Sequence, residues 1–177
     1  GKGANALDYL QKNTGVFNGR GMLSEEEVKK MRERVQENKG NIWHGFISLS
    51  EADSPKIDTP EKCIALVKNT FNSFFKDAKF NPDNIDLMCA LHLDRPHHLH
   101  IHFVFWEKAP RYRGKDGTLQ YRSKGRIDKG AIDGMFVRLG LFISERKDRL
   151  YKGRAEAIKE LRAAANAGRA MTGDEEV

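Results

Sequence analysis

A chain of 177 residues is enough for one domain built around one hydrophobic core. Lysine and arginine outnumber aspartate and glutamate by 31 to 25, a surplus of +6 that suits a polyanionic partner, nucleic acid first and an anionic membrane surface second. No apolar run approaches the ~20 residues of a membrane span and no signal peptide is visible, so membrane insertion is not expected.

Ala4 to Asn13 reads as a short helix with Ala6, Leu7 and Leu10 on one side, and Thr14 to Gly21 as a loop. Ser24 with Glu27 three residues on is a capping box that opens a charged helix running to about Asn38. Asn41 to Leu49 alternates as a strand: Trp43, Gly45, Ile47 and Leu49 share one face, and His44, Phe46 and Ser48 the other. Thr59-Pro60 starts a helix that carries Ile64, Leu66, Val67, Phe71 and Phe74 and ends near Ala78. Two strands come next, Ile85 to Asp94 and His98 to Glu107. The short connection at Arg95-Pro96-His97 makes them an antiparallel pair. Lys108 to Lys129 is polar and glycine-containing. Ala131 to about Asp148 reads as a helix, and Lys152 to Arg169 as a polar, alanine-rich helix or tail. The mixture predicts an α+β fold, an antiparallel central sheet flanked by helices. Residues 1–150 are expected to form the working domain and 151–177 a helical polar tail. The chain does not begin with Met, so a fragment or a processed product is expected. Cys63 and Cys89 have no metal or redox spacing and read as reduced core residues of a cytoplasmic protein.

Five of the six histidines fall between His92 and His102. His98, His100 and His102 alternate with Leu99, Ile101 and Phe103, so the imidazoles share a face and the apolar residues take the core side. On the preceding strand His92 and Asp94 have the same parity. Imidazoles that converge from two paired strands with no cysteine nearby predict a catalytic metal site on the β-hairpin rather than a structural zinc site.

Two families carry such patterns. His98-Leu-His100-Ile-His102-Phe-Val resembles the motif of histidine-triad nucleotide hydrolases and transferases, in which His100 would be the nucleophile. The arrangement His92, Asp94, Pro96, His100 and His102 resembles the HUH nucleases, in particular mobilisation relaxases of the MOBP, MOBV and MobL groups. That second pattern also uses His92 and Asp94, which the first leaves idle. Ala6-Leu-Asp-Tyr9-Leu-Gln-Lys resembles the relaxase helix that bears the nucleophilic tyrosine. Gly15-Val-Phe, Leu23-Ser-Glu-Glu-Glu and Gly40-Asn-Ile-Trp-His-Gly-Phe-Ile-Ser-Leu look most like the MobL group. The likeness runs from Ala4 to Arg149. Such relaxases carry a strand ahead of the tyrosine helix; only eight residues precede Tyr9 here, so that strand is expected to be absent or not included.

The resemblance implies a bacterial, cytoplasmic single-strand DNA endonuclease and strand transferase acting at a transfer origin in plasmid or element mobilisation. Tyr9 would be its nucleophile. A divalent ion, Mn2+ or Mg2+, would be held by His92, His100 and His102, with His98 as an alternate ligand. Asp94 would orient an imidazole or accept the tyrosine proton. Accessory relaxosome and coupling proteins would be partners, and a rolling-circle replication initiator of the same HUH class is the nearby alternative. Tyr112, Tyr121 and Tyr151 are weaker candidates for nucleophile. From Lys108 to Lys129 eight basic residues face two acidic ones, a local surplus as large as the whole chain's, with Tyr112 and Tyr121 interleaved. Cations for phosphates and aromatic faces for unpaired bases make Arg111, Arg113, Arg122, Lys124 and Arg126 the expected DNA contacts, on a mobile loop beside the metal site.

Overall fold

The described chain begins with a turn back on itself. In the computed structural model, which describes residues 15–57, 59–95 and 98–144 (92–95 and 98 as backbone only), β1 (Val16–Asn18) and β2 (Gly21–Met22) form a tight antiparallel hairpin. Then comes α1 (Glu25–Glu37), capped at Ser24 as expected. The Ser24 Oγ accepts from the Glu27 N–H at 3.1 Å, and the Glu27 carboxylate accepts from the Ser24 N–H. β3 (Ile42–Ser48) leads through a short 3-10 turn at Ser54–Ile57 to α2 (Pro60–Asp77), whose Thr59 cap and Pro60 start match the sequence reading. β4 (Ile85–Arg95) and β5 (His98–Glu107) are the long central strands. β6 (Tyr112–Arg113) and β7 (Leu119–Gln120) make a separate small ribbon, and α3 (Lys129–Ser144) comes last.

The main sheet has five strands in the order β2-β1-β4-β5-β3, and every neighbouring pair is antiparallel. The fold is therefore α+β, with helices on both faces of an antiparallel sheet. Strand alternation sorts the residues into two cores. On one face Leu87, Cys89, Leu91, Ile101, Phe105 and Trp43 pack with Leu66, Phe71 and Phe74 of α2 and Leu139 of α3. On the other, Val28, Met31 and Val35 of α1 cover Met88, Ala90, Val104 and Trp106. Arg34 fixes α1 there: its guanidinium donates twice to the buried Asp86 carboxylate, at 2.7 and 2.8 Å. Cys63 and Cys89 are free thiols in the first core, and burial pushes the Cys89 thiol up.

Two segments expected as plain loop carry strands. Val16–Asn18 is too short for a local signal. It is a strand because it joins the edge of β4, with Val16 opposite Ala90 and Phe17 opposite Cys89. The next turn lies directly on α2: a Cβ at Gly19 would stand 3.0 Å from the Lys68 Cα, so the close approach depends on glycine. The basic segment is not a mobile loop either. Its β6–β7 ribbon turns at Gly117, which has φ +82°, and Asp116 accepts from the Thr118 N–H and hydroxyl. The expected helices at 4–13 and 152–169, the tail 151–177, Tyr9 and Tyr151 lie outside the described residues. Among the described residues, no helix is long and apolar enough to cross a membrane.

Candidate metal centre and basic segment

β5 runs from the histidines to Glu107, and its even-numbered residues face α1's side of the sheet. Near Glu107 that face is sealed by α1 over Val104 and Trp106. Toward the start of the strand, His102 and His100 are half-buried, beside Phe46 and Ser48 of β3. Register places Phe46 opposite His102 and Ser48 opposite His100. The Phe46 ring lies against both imidazoles, 5.7 Å from His102 in a stacked arrangement and 6.0 Å from His100. It limits how far either ring can turn. Two imidazoles two residues apart on one strand have Cα atoms ~6.7 Å apart, which lets both reach one small cation.

On the other side of His100, register places His92 of β4 directly opposite. Directly opposed positions are the closest cross-strand neighbours in an antiparallel pair. Beyond His92 the alternation breaks: the register shifts between His92 and Arg95, so Leu93 and Asp94 together oppose Leu99. The side chains of His92, Asp94 and His98, and all of His97, lie outside the described part of the chain. Among the described residues, no group of three or more histidine, cysteine, aspartate or glutamate side chains is arranged to hold a metal ion. Of the expected ligands, His100 and His102 are the two whose side chains are described, two residues apart on β5.

The backbone beneath the pair is held firmly. The Leu99 carbonyl accepts from the Leu49 N–H at 2.9 Å, and the Leu99 N–H donates to the Ser54 Oγ at 3.1 Å. Ser54 sits in the turn after β3, and that turn is pinned by a buried ion pair. Lys56 Nζ donates to Asp53 at 2.7 Å, with both side chains at most 5% exposed, and the Ser50 hydroxyl donates to the same carboxylate. Nothing in the sequence marked Ser54, Asp53 or Lys56. The His44-Phe46-Ser48 face of β3 was readable, but not that its Phe46 would meet the histidines.

No family model, curated protein or solved structure matches this chain. What the site can do rests on its own residues.

The basic segment does not adjoin the histidines. It leaves β5 at Glu107, seven residues from His100, which is ~23 Å along the strand. The reason is strand direction alone: a segment that leaves a long strand starts at the strand's far end. There the segment is tied to the core. The Trp43 indole N–H donates to the Gly125 carbonyl at 2.6 Å, and the Asn41 side chain donates to the Arg122 and Ser123 carbonyls. Buried Glu107 accepts from the Arg122 N–H at 2.8 Å. The Arg122 guanidinium donates to the Ala78 carbonyl and lies 4.4 Å over the Phe80 ring. Arg122 is thus engaged inward, in holding the segment. Lys124 pairs with Asp128 at 3.4 Å, while Arg111, Arg113, Lys124 and Arg126 are all exposed. Tyr112 sits at this end too. Burial first, and then Glu107, hold its hydroxyl above the ordinary phenol value, so it is a poorer nucleophile than a free tyrosine.

Proposed function

We propose that the chain is a metal-assisted single-strand DNA nickase and strand transferase of the relaxase kind. The observation that carries this reading is the half-open His100–His102 pair, flanked by Phe46 and with His92 in register opposite His100. Histidine donors with no thiolate suit an ion that keeps positions open for substrate oxygen. A divalent ion held by His92, His100 and His102 would polarise the scissile phosphate and stabilise the charge that builds on it. His98 is the alternate ligand.

Tyr9 is the nucleophile in this reading. β1 enters the sheet with Val16 opposite Ala90, one strand repeat from the His92 position. Six residues lie between Tyr9 and Val16, so the tyrosine is joined to β1 by a tether of at most ~25 Å. Its oxygen forms a bond to phosphorus as the bond to the 3′-oxygen breaks. The tyrosine proton passes to a base, for which Asp94 is the candidate, and the departing 3′-oxygen takes up a proton from water to leave as a hydroxyl. A phosphodiester replaces a phosphodiester, so the step is close to balanced and reverses to rejoin a strand. Arg111, Arg113, Lys124 and Arg126 would contact phosphates well away from the reacting one, with Arg122 shaping that surface from beneath.

The test is a gel assay with labelled single strands spanning the candidate transfer origin, with Mn2+ or Mg2+ and with EDTA. The expected result is a metal-dependent nick that leaves a free 5′ fragment and a 3′ fragment bound covalently to protein. Tyr9→Phe should remove the adduct and leave binding intact. Nicking at the wild-type rate by Tyr9→Phe would remove Tyr9 from the mechanism. Hydrolysis of a nucleoside phosphoramidate, with no adduct under any ion, would give the histidines to histidine-triad chemistry instead.

A further inference from the structure

A second concavity lies far from the histidines, between the β1–β2 turn, α2 and the start of β4, with a volume of about 290 Å³. That is near the lower end for small-molecule sites and suits one compact ligand. Three cations from unrelated parts of the chain meet at it: Arg20 from the turn, Lys68 from α2 and Lys108 from just beyond β5. One carboxylate, Asp83, stands among them. The lining also includes Val67, Phe71 and Phe75, whose side chains are buried in the core.

Bringing three like charges to one mouth costs energy in the free protein, and an anion entering there lowers that cost. A backbone phosphate of a bound strand meets that condition. Gly19 contributes by its missing side chain, which lets the turn close down on α2 to form one side of the pocket.

We infer that this pocket seats one backbone phosphate of a bound single DNA strand, held by Arg20, Lys68 and Lys108. The inference rests on the nuclease reading for the kind of strand. The occupant is not the reacting phosphate. Leu87 of the pocket is five residues from His92 along β4, ~17 Å, and it packs on the face of the sheet opposite to His100 and His102. The pocket is a remote hold on the strand, and it adds affinity without touching the chemistry.

The experiment measures binding of the full chain to a fluorescein-labelled ~20-nucleotide thymidine strand by anisotropy, in EDTA and over a range of salt. The combined variant Arg20→Ala, Lys68→Ala, Lys108→Ala should bind about tenfold more weakly, with a salt slope smaller by about 2. A control removes the same charge from α1 and its end, Lys29→Ala, Lys30→Ala, Lys39→Ala, and should lose less than about threefold. Asn72→Trp, an exposed position on the pocket lining, blocks the mouth without changing charge and should weaken binding several-fold. Equal losses in the pocket variant and the control, or wild-type binding by Asn72→Trp, overturn the pocket. Nicking is scored separately. Pocket-dependent binding by a wild type that never nicks keeps the pocket and removes the nuclease reading. Normal nicking with no pocket-dependent binding does the reverse.

Discussion

The two ends of the β4–β5 hairpin are built on different principles. At the histidine end the side chains that matter stand on regular strand, half-open to solvent, and the packing beneath them is rigid. Phe46 braces the rings, and the Asp53–Lys56 pair and Ser54 hold the Leu99 backbone. At the Glu107 end the cations stand on an irregular segment and a two-residue ribbon, and the core reaches outward to fix them through Trp43, Asn41 and Glu107. One end offers two groups placed to within a rotamer. The other offers many charges placed loosely over a surface. Chemistry at a single phosphorus needs the first kind, and holding a polyanion needs only the second.

The largest effect should come from the histidines. His100→Ala or His102→Ala should lower metal-dependent nicking by about a thousandfold or more and weaken metal affinity, while strand binding in EDTA changes little. Calorimetric titration with Mn2+ checks the metal and anisotropy checks the strand. Metal binding as tight as wild type in both variants would move the centre away from this hairpin. Phe46→Ala sharpens the point: it keeps both ligands but frees the rings, and should cost about tenfold in metal affinity at most.

The supports under the two ends should differ in what they cost. Lys56→Ala leaves the Asp53 carboxylate buried without its partner and should destabilise the fold by about 3–5 kcal/mol. Arg122→Ala removes a half-buried guanidinium with a carbonyl partner and a ring partner, and should cost about 1–3 kcal/mol. Denaturant melts measure both. A loss of DNA binding in Arg122→Ala larger than in Arg111→Ala with Arg113→Ala, at unchanged stability, would make Arg122 a direct phosphate contact after all.

Much of this plan is legible in the sequence. The capping box at Ser24, the Thr59-Pro60 start and the alternation on both sides of the histidines are local signals, and each became the element it announced. Parity alone put His100 and His102 on one face, with Leu99 and Ile101 in the core. What failed needed partners. β1 is three residues made into a strand by the edge of β4, and the β6–β7 ribbon is two residues on each side of a turn. The register break before Arg95 has no local signature either. The separation of the basic segment from the histidines is a different case, since ten residues of strand already imply it. Arg20, Lys68 and Lys108 are dispersed along the chain, and only the fold brings them to one mouth.

Titration compares the two ends again at high pH, through the hydroxyl of Tyr112. Burial and the neighbouring Glu107 hold it above the ordinary value, so the folded state keeps a proton that the unfolded chain gives up near pH 10. Its stabilising share is complete below that pH and is lost as pH rises through the folded value. Ultraviolet titration of wild type against Tyr112→Phe should show that the tyrosine removed ionises late, and the variant should lose less stability as pH rises above about 10. A Tyr112 that ionises at the ordinary phenol value would mean that neither burial nor Glu107 holds it.

The smallest effect should be at the tip of the β6–β7 ribbon. Asp116 is fully exposed, yet the Thr118 hydroxyl at 2.7 Å and the Thr118 N–H at 3.0 Å both donate to it and hold its carboxyl below the ordinary value. The ordering it gives the turn is therefore present above the unfolded value, near pH 3.9, and is lost as pH falls through the folded one. Because the ribbon hangs from the core through Glu107, Asn41 and Trp43 rather than through its tip, opening that turn should leave the sheet untouched. Amide exchange at Gly117 and Thr118 should rise in Asp116→Ala, as it should in wild type at low pH, with no change at His100, His102 or their β3 partners. Exchange that rises at both ends together would show that the ribbon and the histidine strand melt as one unit, and the contrast between a rigid chemical end and a separately anchored basic end would not survive.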